Sequence, residues 1–208
     1  MTLFTSAKTK LAIVVGSIAL SAATPAAAAT SIDFDGGANG SSIGAFYAGQ
    51  GITFSNTEFT DNFSLAGSSG PLGIRAPGTF MFGSGNAIVG TFSGLASSIF
   101  IRGLDVGAAG VQIDAFDSSN VLIASNNFFG PGIGVGTFAD ISVTVAGIKS
   151  FKLFQPAVGG GDGVLFDNLS FETGAVPEPA TWMMMLMGFG LIGAAMRRKR
   201  TTAQIKFA

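Results

Sequence analysis

The chain has 208 residues, of which 31 are Gly and 20 are Phe, and only 11% are charged, well below the ~25% of ordinary soluble domains. It holds no His and no Cys, which excludes disulfides, thiol nucleophiles, zinc-finger and iron–sulfur ligation, and imidazole acid–base chemistry. The net charge of −1 hides an uneven split: residues 30–175 carry 11 acidic and 4 basic residues, a balance of −7, and the other 7 basic residues lie in the terminal segments. An acidic middle lacks the basic patch that a phosphate backbone requires, so no nucleic-acid partner is expected.

Residues 1–29 read as a secretory signal peptide. Lys8 and Lys10 form a basic start, Leu11 to Leu20 an apolar stretch, and Ala27-Ala28-Ala29 a small-residue cleavage site. Pro25 breaks the helix just ahead of that site, leaving it extended for a peptidase. The apolar stretch is shorter than the ~20 residues of a membrane span. Signal peptidase is therefore expected to cut after Ala29 and leave Thr30 as the first residue.

Residues 30–174 alternate polar with apolar in short runs separated by Gly, Ser, Asn and Pro. The runs are Ser31 to Phe34, Gly51 to Phe54, Val111 to Phe116, Ile141 to Val145, Ser150 to Phe154 and Val164 to Phe171. Period-2 runs of this length, without a 3.6-residue period, predict an all-β domain: an antiparallel β-sandwich or jelly roll. Asp117-Ser118-Ser119-Asn120 reads as a hairpin turn between two strands. Gly130 to Gly136 and Gly159 to Gly163 read as long turns. The 17 Phe between Phe34 and Phe171 are most simply core, with one of the adjacent Phe128 and Phe129 facing out, since neighbours in a strand point to opposite sides. The opening Ile32-Asp33-Phe34-Asp35, then Gly51 to Phe54, and the closing Phe166-Asp167-Asn168-Leu169-Ser170-Phe171 resemble galactose-binding-like and carbohydrate-module-like jelly rolls. The resemblance implies a fold and not, by itself, an activity.

The tail, residues 175–208, is a second address. Pro177-Glu178-Pro179 cannot continue a helix, and Trp182 is an interfacial aromatic. Ala180 to Met196 is an uncharged run of 17 residues, and Arg197-Arg198-Lys199-Arg200 is a basic stop. At ~1.5 Å per residue the run nearly crosses a ~30 Å hydrocarbon core, so a transmembrane helix over 180–196 is expected. Gly188, Gly190 and Gly193 match a dinucleotide fingerprint by letters alone, but no strand precedes them and the terminus follows too soon. Small residues at that spacing suit close helix packing instead.

Tripeptide, Trp, helix and basic cluster in this order resemble the PEP-CTERM sorting signal of Gram-negative bacteria, through Pro177, Glu178, Pro179, Trp182, Gly188, Gly190, Gly193, Arg197, Arg198, Lys199 and Arg200. The resemblance implies recognition of Pro177-Glu178-Pro179 by an inner-membrane exosortase. It also implies transient anchoring, then passage to the cell surface or matrix in company with exopolysaccharide and biofilm. The extra tail Thr201 to Ala208 is longer than that pattern leads one to expect.

Chemistry in the middle is sparse. A serine triad fails for want of His, and a serine–lysine pair would have to draw on Lys149 or Lys152, which lie in strand-like runs. Eleven carboxylates from Asp33 to Glu172 could furnish a glycosidase pair, yet most fall in turns or on alternating faces, with no Trp and one Tyr beside them to stack on a sugar. The expected protein is therefore not an enzyme and needs no cofactor: it is a structural or adhesive surface protein. A carbohydrate-binding module and a secreted glycan hydrolase are the alternatives. Oxygen ligands suit calcium, and Asp35 and Asp167, with Asp33 and Asp162 behind them, come from the two ends of the domain that a jelly roll brings together. A structural calcium on Asp35 and Asp167 is the metal expectation.

Overall fold

Alternating burial turns the chain into strands. Val111, Ile113 and Ala115 are fully buried while Gln112, Asp114 and Phe116 point outward, the pattern of a strand with one face on a core. The computed structural model describes residues 29–132, 137–157, 162–173 and 179–198. In order these form β1 (Ala29–Ile32), β2 (Ile52–Ser55), β3 (Glu58–Asp61), β4 (Leu72–Arg75), β5 (Ile88–Leu104), β6 (Val111–Phe116), β7 (Leu122–Phe128), β8 (Ala139–Phe154), β9 (Leu165–Thr173) and α1 (Pro179–Arg198).

Every strand pair is antiparallel. The 17-residue β5 and the 16-residue β8 bend and serve two leaves each. Their one half (Ile88 to Thr91 against Ser150 to Leu153) continues through β2 on one side and β6 and β7 on the other. Their other half (Ser98 to Gly103 against Ala139 to Thr144) continues through β9 to β4 and β3, with β1 also on β9. A register shift between Thr91 and Ser98 marks the corner, where the strand must bend to change leaf.

Between the leaves, Phe92 of β5 meets Phe171 of β9 with centroids 4.8 Å apart, and Phe151 of β8 at 5.6 Å. Phe54 lies 6.4 Å from Phe151 and 5.8 Å from Phe34, edge-on, as ring quadrupoles prefer. The all-β antiparallel sandwich expected from the alternation is what forms.

Several expectations are corrected in detail. The runs 141–145 and 150–154 are one bent strand, β8. The first strand is Ala29–Ile32 and stops before Phe34, whose φ of 61° ends the extended backbone. Phe128 and Phe129 are both exposed, because β7 is an edge strand that ends there and the next residue is no longer held to the pleat. Phe46, Phe63 and Phe138 are exposed as well. The signal-peptide residues 1–28, most of Gly130 to Gly136 and of Gly159 to Gly163, and 199–208 lie outside the described residues.

The helix expected over 180–196 is present as α1, 20 residues long. Its span across a membrane is not: among the described residues no helix is long and apolar enough to cross one. Gly188, Gly190 and Gly193 dilute its apolar side chains, and the helix runs on into Arg197 and Arg198 instead of stopping before them. The expected transmembrane helix is therefore corrected to a C-terminal helix with an exposed apolar surface.

Candidate functional site

A ten-residue loop, 62–71, joins β3 to β4, and it is built by turn chemistry. Asp61 Oδ1 accepts the Phe63 N–H (2.7 Å) and Asn62 Oδ1 accepts the Ser64 N–H (3.0 Å). These consecutive Asx turns hold both Phe63 and Ser64 at φ 54°, in the left-handed region. A bulky residue there is a true outlier and costs on the order of 1–3 kcal/mol. The result is Phe63 standing 65% exposed, far more than a core ring.

Phe63 forms one wall of an open cleft of about 670 Å³. Leu65, Phe80, Met81, Val164 and Leu165 supply the other large apolar side chains, and Arg75 and Asp105 are its only charged lining residues among those described. Phe63 and Phe80 lie 6.0 Å apart, ring to ring. Arg75 stacks over Phe80 with its guanidinium carbon 4.2 Å from the centroid, a cation–π contact. Its Nε donates to Glu58 Oε1 at 2.8 Å, directly across the β3–β4 ladder, and Glu58 also accepts the Gly78 N–H. The charge of Arg75 is thus balanced from behind.

Asp105 is also in the left-handed region, at φ 54°. Partial burial, then the nearby Asp162, pushes its carboxyl above the usual range. Asp162 is buried and accepts the Ala109 N–H at 2.8 Å, and its own carbonyl accepts from Gln155.

Of the residues expected to hold calcium, Asp35 and Asp167 do meet on one segment. Asp167 is fully buried; its Oδ2 accepts the Ser69 N–H (2.8 Å), its Oδ1 the Asn168 N–H (2.7 Å), and the Ser69 hydroxyl lies 3.2 Å from both. Asp35 Oδ1 accepts the Leu72 N–H at 3.0 Å. These donors take up part of the lone pairs of the two carboxylates and tie segment 69–72 to Asp35 and Asp167. Among the described residues no group of three or more acidic side chains is placed to hold a metal. Asp162 belongs to the other cluster, and Asp33 is exposed and accepts the Asp35 N–H. Burial outweighs the hydrogen bonds and pushes Asp167 up, with a small further push from Asp35. Tyr47, buried without a partner for its hydroxyl among the described residues, is pushed up to about 12 by burial and by Asp33, Asp35 and Asp167.

The lysines are engaged structurally. Lys149 donates to the Phe92 and Ser93 carbonyls, and Lys152 sits 5.3 Å over the Phe116 ring.

At the ends, Ala29 pairs with Glu172 and Thr30 with Phe171, so a cut after Ala29 would leave three of the four β1 pairs. Ala27, Pro177, Glu178, Lys199 and Arg200 lie outside the described residues. Pro179 opens α1, Trp182 lies in its first turns, Gly188, Gly190, Gly193 and Arg197 are exposed along it, and Arg198 ends it.

No curated protein matches the chain. Among solved structures the chain is similar to the K2 cleaved adhesin domain of Lys-gingipain, with 10% identity and a TM-score of 0.44 over 69% of this chain and 97% of that one. It is similar also to CsCBM6-3 from Clostridium stercorarium in complex with cellobiose (19% identity, TM-score 0.36, 69% and 93% covered). A third is the CBM22-1 xylan-binding domain from Paenibacillus barcinonensis Xyn10C (11%, 0.38, 74% and 100%). Residues 175–200 match the PEP-CTERM protein-sorting motif, and the chain therefore carries an antiparallel β-sandwich followed by a C-terminal sorting signal.

Proposed function

We propose that this protein is exported, is processed by an exosortase at its C-terminal motif, and acts at the cell surface or in the matrix as a non-catalytic module that binds a neutral glycan in the Phe63 cleft. The observation that carries the binding step is Phe63 itself, a large apolar ring held in a strained backbone conformation and presented to solvent. Strain of this kind gathers at binding sites, and an exposed ring beside Met81 offers a flat apolar surface for the C–H face of a sugar. Asp105 provides hydroxyl-accepting oxygens at the same cleft.

The charge pattern sets the preference. Arg75 is neutralised by Glu58, leaving Asp105 with Asp162 behind it, so a polyuronate would meet net negative charge. Glycan hydrolysis, the rival reading, needs two carboxylates ~5–10 Å apart across the scissile bond. Asp105 is the single carboxylate among the described cleft residues, which favours binding over hydrolysis.

Titration against cellohexaose, xylohexaose, chitohexaose and isomaltohexaose tests the reading. At least one should bind, Phe63→Ala and Asp105→Ala should each weaken it about tenfold (~1.4 kcal/mol), and Phe63→Ala should leave the melting of the fold unchanged because its ring is exposed. Failure of all four to bind, or binding indifferent to both substitutions, removes the cleft as a glycan site.

A further inference from the structure

The loop that carries Phe63 is also held by groups far from the cleft. Loop 62–71 has no strand partner of its own, yet it is tied down from three directions. From beneath, the fully buried Asp167 takes the backbone N–H and the hydroxyl of Ser69. From the β1 side, Asp35 takes the Leu72 N–H, and its carboxylate lies so close to Gly70 that a Cβ there would overlap it. From the β5 side, Arg102 donates Nη1 to the Gly67 carbonyl at 3.0 Å. A bidentate pair with Asp140 (2.6 and 2.9 Å) holds that guanidinium, which stacks on Phe138, and the Phe138 ring in turn packs where a Cβ on Gly67 would sit. Inside the loop, the buried Asn62 donates to the Gly70 and Leu72 carbonyls and closes the ring of contacts.

We propose that Asp167 is the positioning residue of the cleft: acting through Ser69, it holds loop 62–71 in the one shape that presents Phe63 and Leu65 to the ligand. The physical case is that a carboxylate with no exposed surface is costly to bury and is kept only where its oxygens are satisfied. Here two backbone N–H groups and a hydroxyl satisfy them, and the Ser69 contacts reach across 98 residues of sequence to the loop that carries Phe63. The Asx turns of Asp61 and Asn62 set the φ values at Phe63 and Ser64, and the Asp167–Ser69 contacts fix the far end of the same loop to the sandwich.

This rests on the cleft being the glycan site, and the experiment separates the two. Full-length protein and Asp167→Ala are compared by segment-resolved amide hydrogen exchange and by titration with the four hexaoses. The clamp predicts that amides 64–72 exchange at least tenfold faster in the variant while β5 and β8 keep their protection, and that the bound hexaose weakens about tenfold. Faster exchange spread evenly over the sandwich would show a general structural role and overturn the proposal, as would unchanged exchange at 64–72. Should Asp167→Ala fail to fold, Gly70→Ala displaces the loop from the Asp35 side with Asp167 intact. It must give the same local pattern, or the proposal falls. If the parent protein binds none of the hexaoses, the glycan reading fails while the exchange pattern still decides the clamp.

Discussion

The sandwich and the C-terminal helix use the same kinds of side chain in opposite ways. In the sandwich Phe34, Phe92, Phe151 and Phe166 are at most 1% exposed, whereas in α1 Phe189 is 67% exposed and Leu191 72%. Composition alone would call both regions hydrophobic. Periodicity separates them: strands alternate and hide one face against a second leaf, while the helix is apolar around its circumference and covers none of the described sides. Burial among the described residues comes from pairing leaves, and the described apolar side chains of α1 stay exposed. The helix lies within the residues that match the sorting motif.

The sharpest way to break the comparison is to disable the address and leave the domain whole. Replacing Pro177, Glu178 and Pro179 with Ala should retain the protein with the cell and abolish release of a shortened chain, an all-or-none effect read by intact mass of the extracellular fraction. The parent protein should appear there starting near Thr30 and ending near the motif. Equal release of full-length parent and variant, through Ala208, would sever the helix from any sorting role.

Next in size is a pair of identical substitutions in the two regions. Phe166→Ala removes a ring with no exposure, 6.2 Å from Phe82, and should cost about 3–5 kcal/mol. Phe189→Ala removes an exposed ring and should leave chemical denaturation of the sandwich unchanged within ~0.5 kcal/mol. Comparable losses at both sites would mean the helix contributes to the core after all.

The contrast also explains what could be read in advance. Val111–Phe116 was legible to the residue because its alternation is unbroken, and the Asp117–Asn120 turn because Asp117 takes the Ser119 and Val121 N–H groups as an Asx turn does. β5 was not, although it is the longest strand: Gly90, Ser93 and Gly94 interrupt its pattern at the corner where it changes leaf, and locally they read as a turn. Asp35 and Asp167 both reach segment 69–72, and residue type alone does not show it, because the donors they meet are backbone N–H groups of a loop distant in sequence. Phe63 was assigned to the core with the other Phe. The signal was present in Asp61-Asn62-Phe63-Ser64, where two consecutive Asx residues make a turn that must carry Phe63 at its tip. Arg75 and Asp105 were out of reach, because a ladder register and two loops far apart in sequence bring them to the same cleft.

The smallest effect is a pH dependence that belongs to the sandwich and not to the helix. Burial, set against the N–H donors of Ser69 and Asn168, leaves the folded Asp167 carboxyl above its ordinary value, with Asp35 adding to the push. The folded state therefore holds a proton that the unfolded chain has released, in the window between the ordinary carboxylate value and the raised one. Stability from this group is full below that window and falls as pH rises through it. Asp105, raised by burial and by Asp162, acts with the same sign but is more exposed and so more screened by solvent. The melting temperature should drop as pH rises through the window. Asp167→Asn should flatten the slope at a lower overall stability, since an amide offers one acceptor oxygen to two backbone N–H groups. A slope that persists unchanged in Asp167→Asn would place the titration elsewhere, and a melting temperature that rises with pH would reverse the sign argued for Asp167.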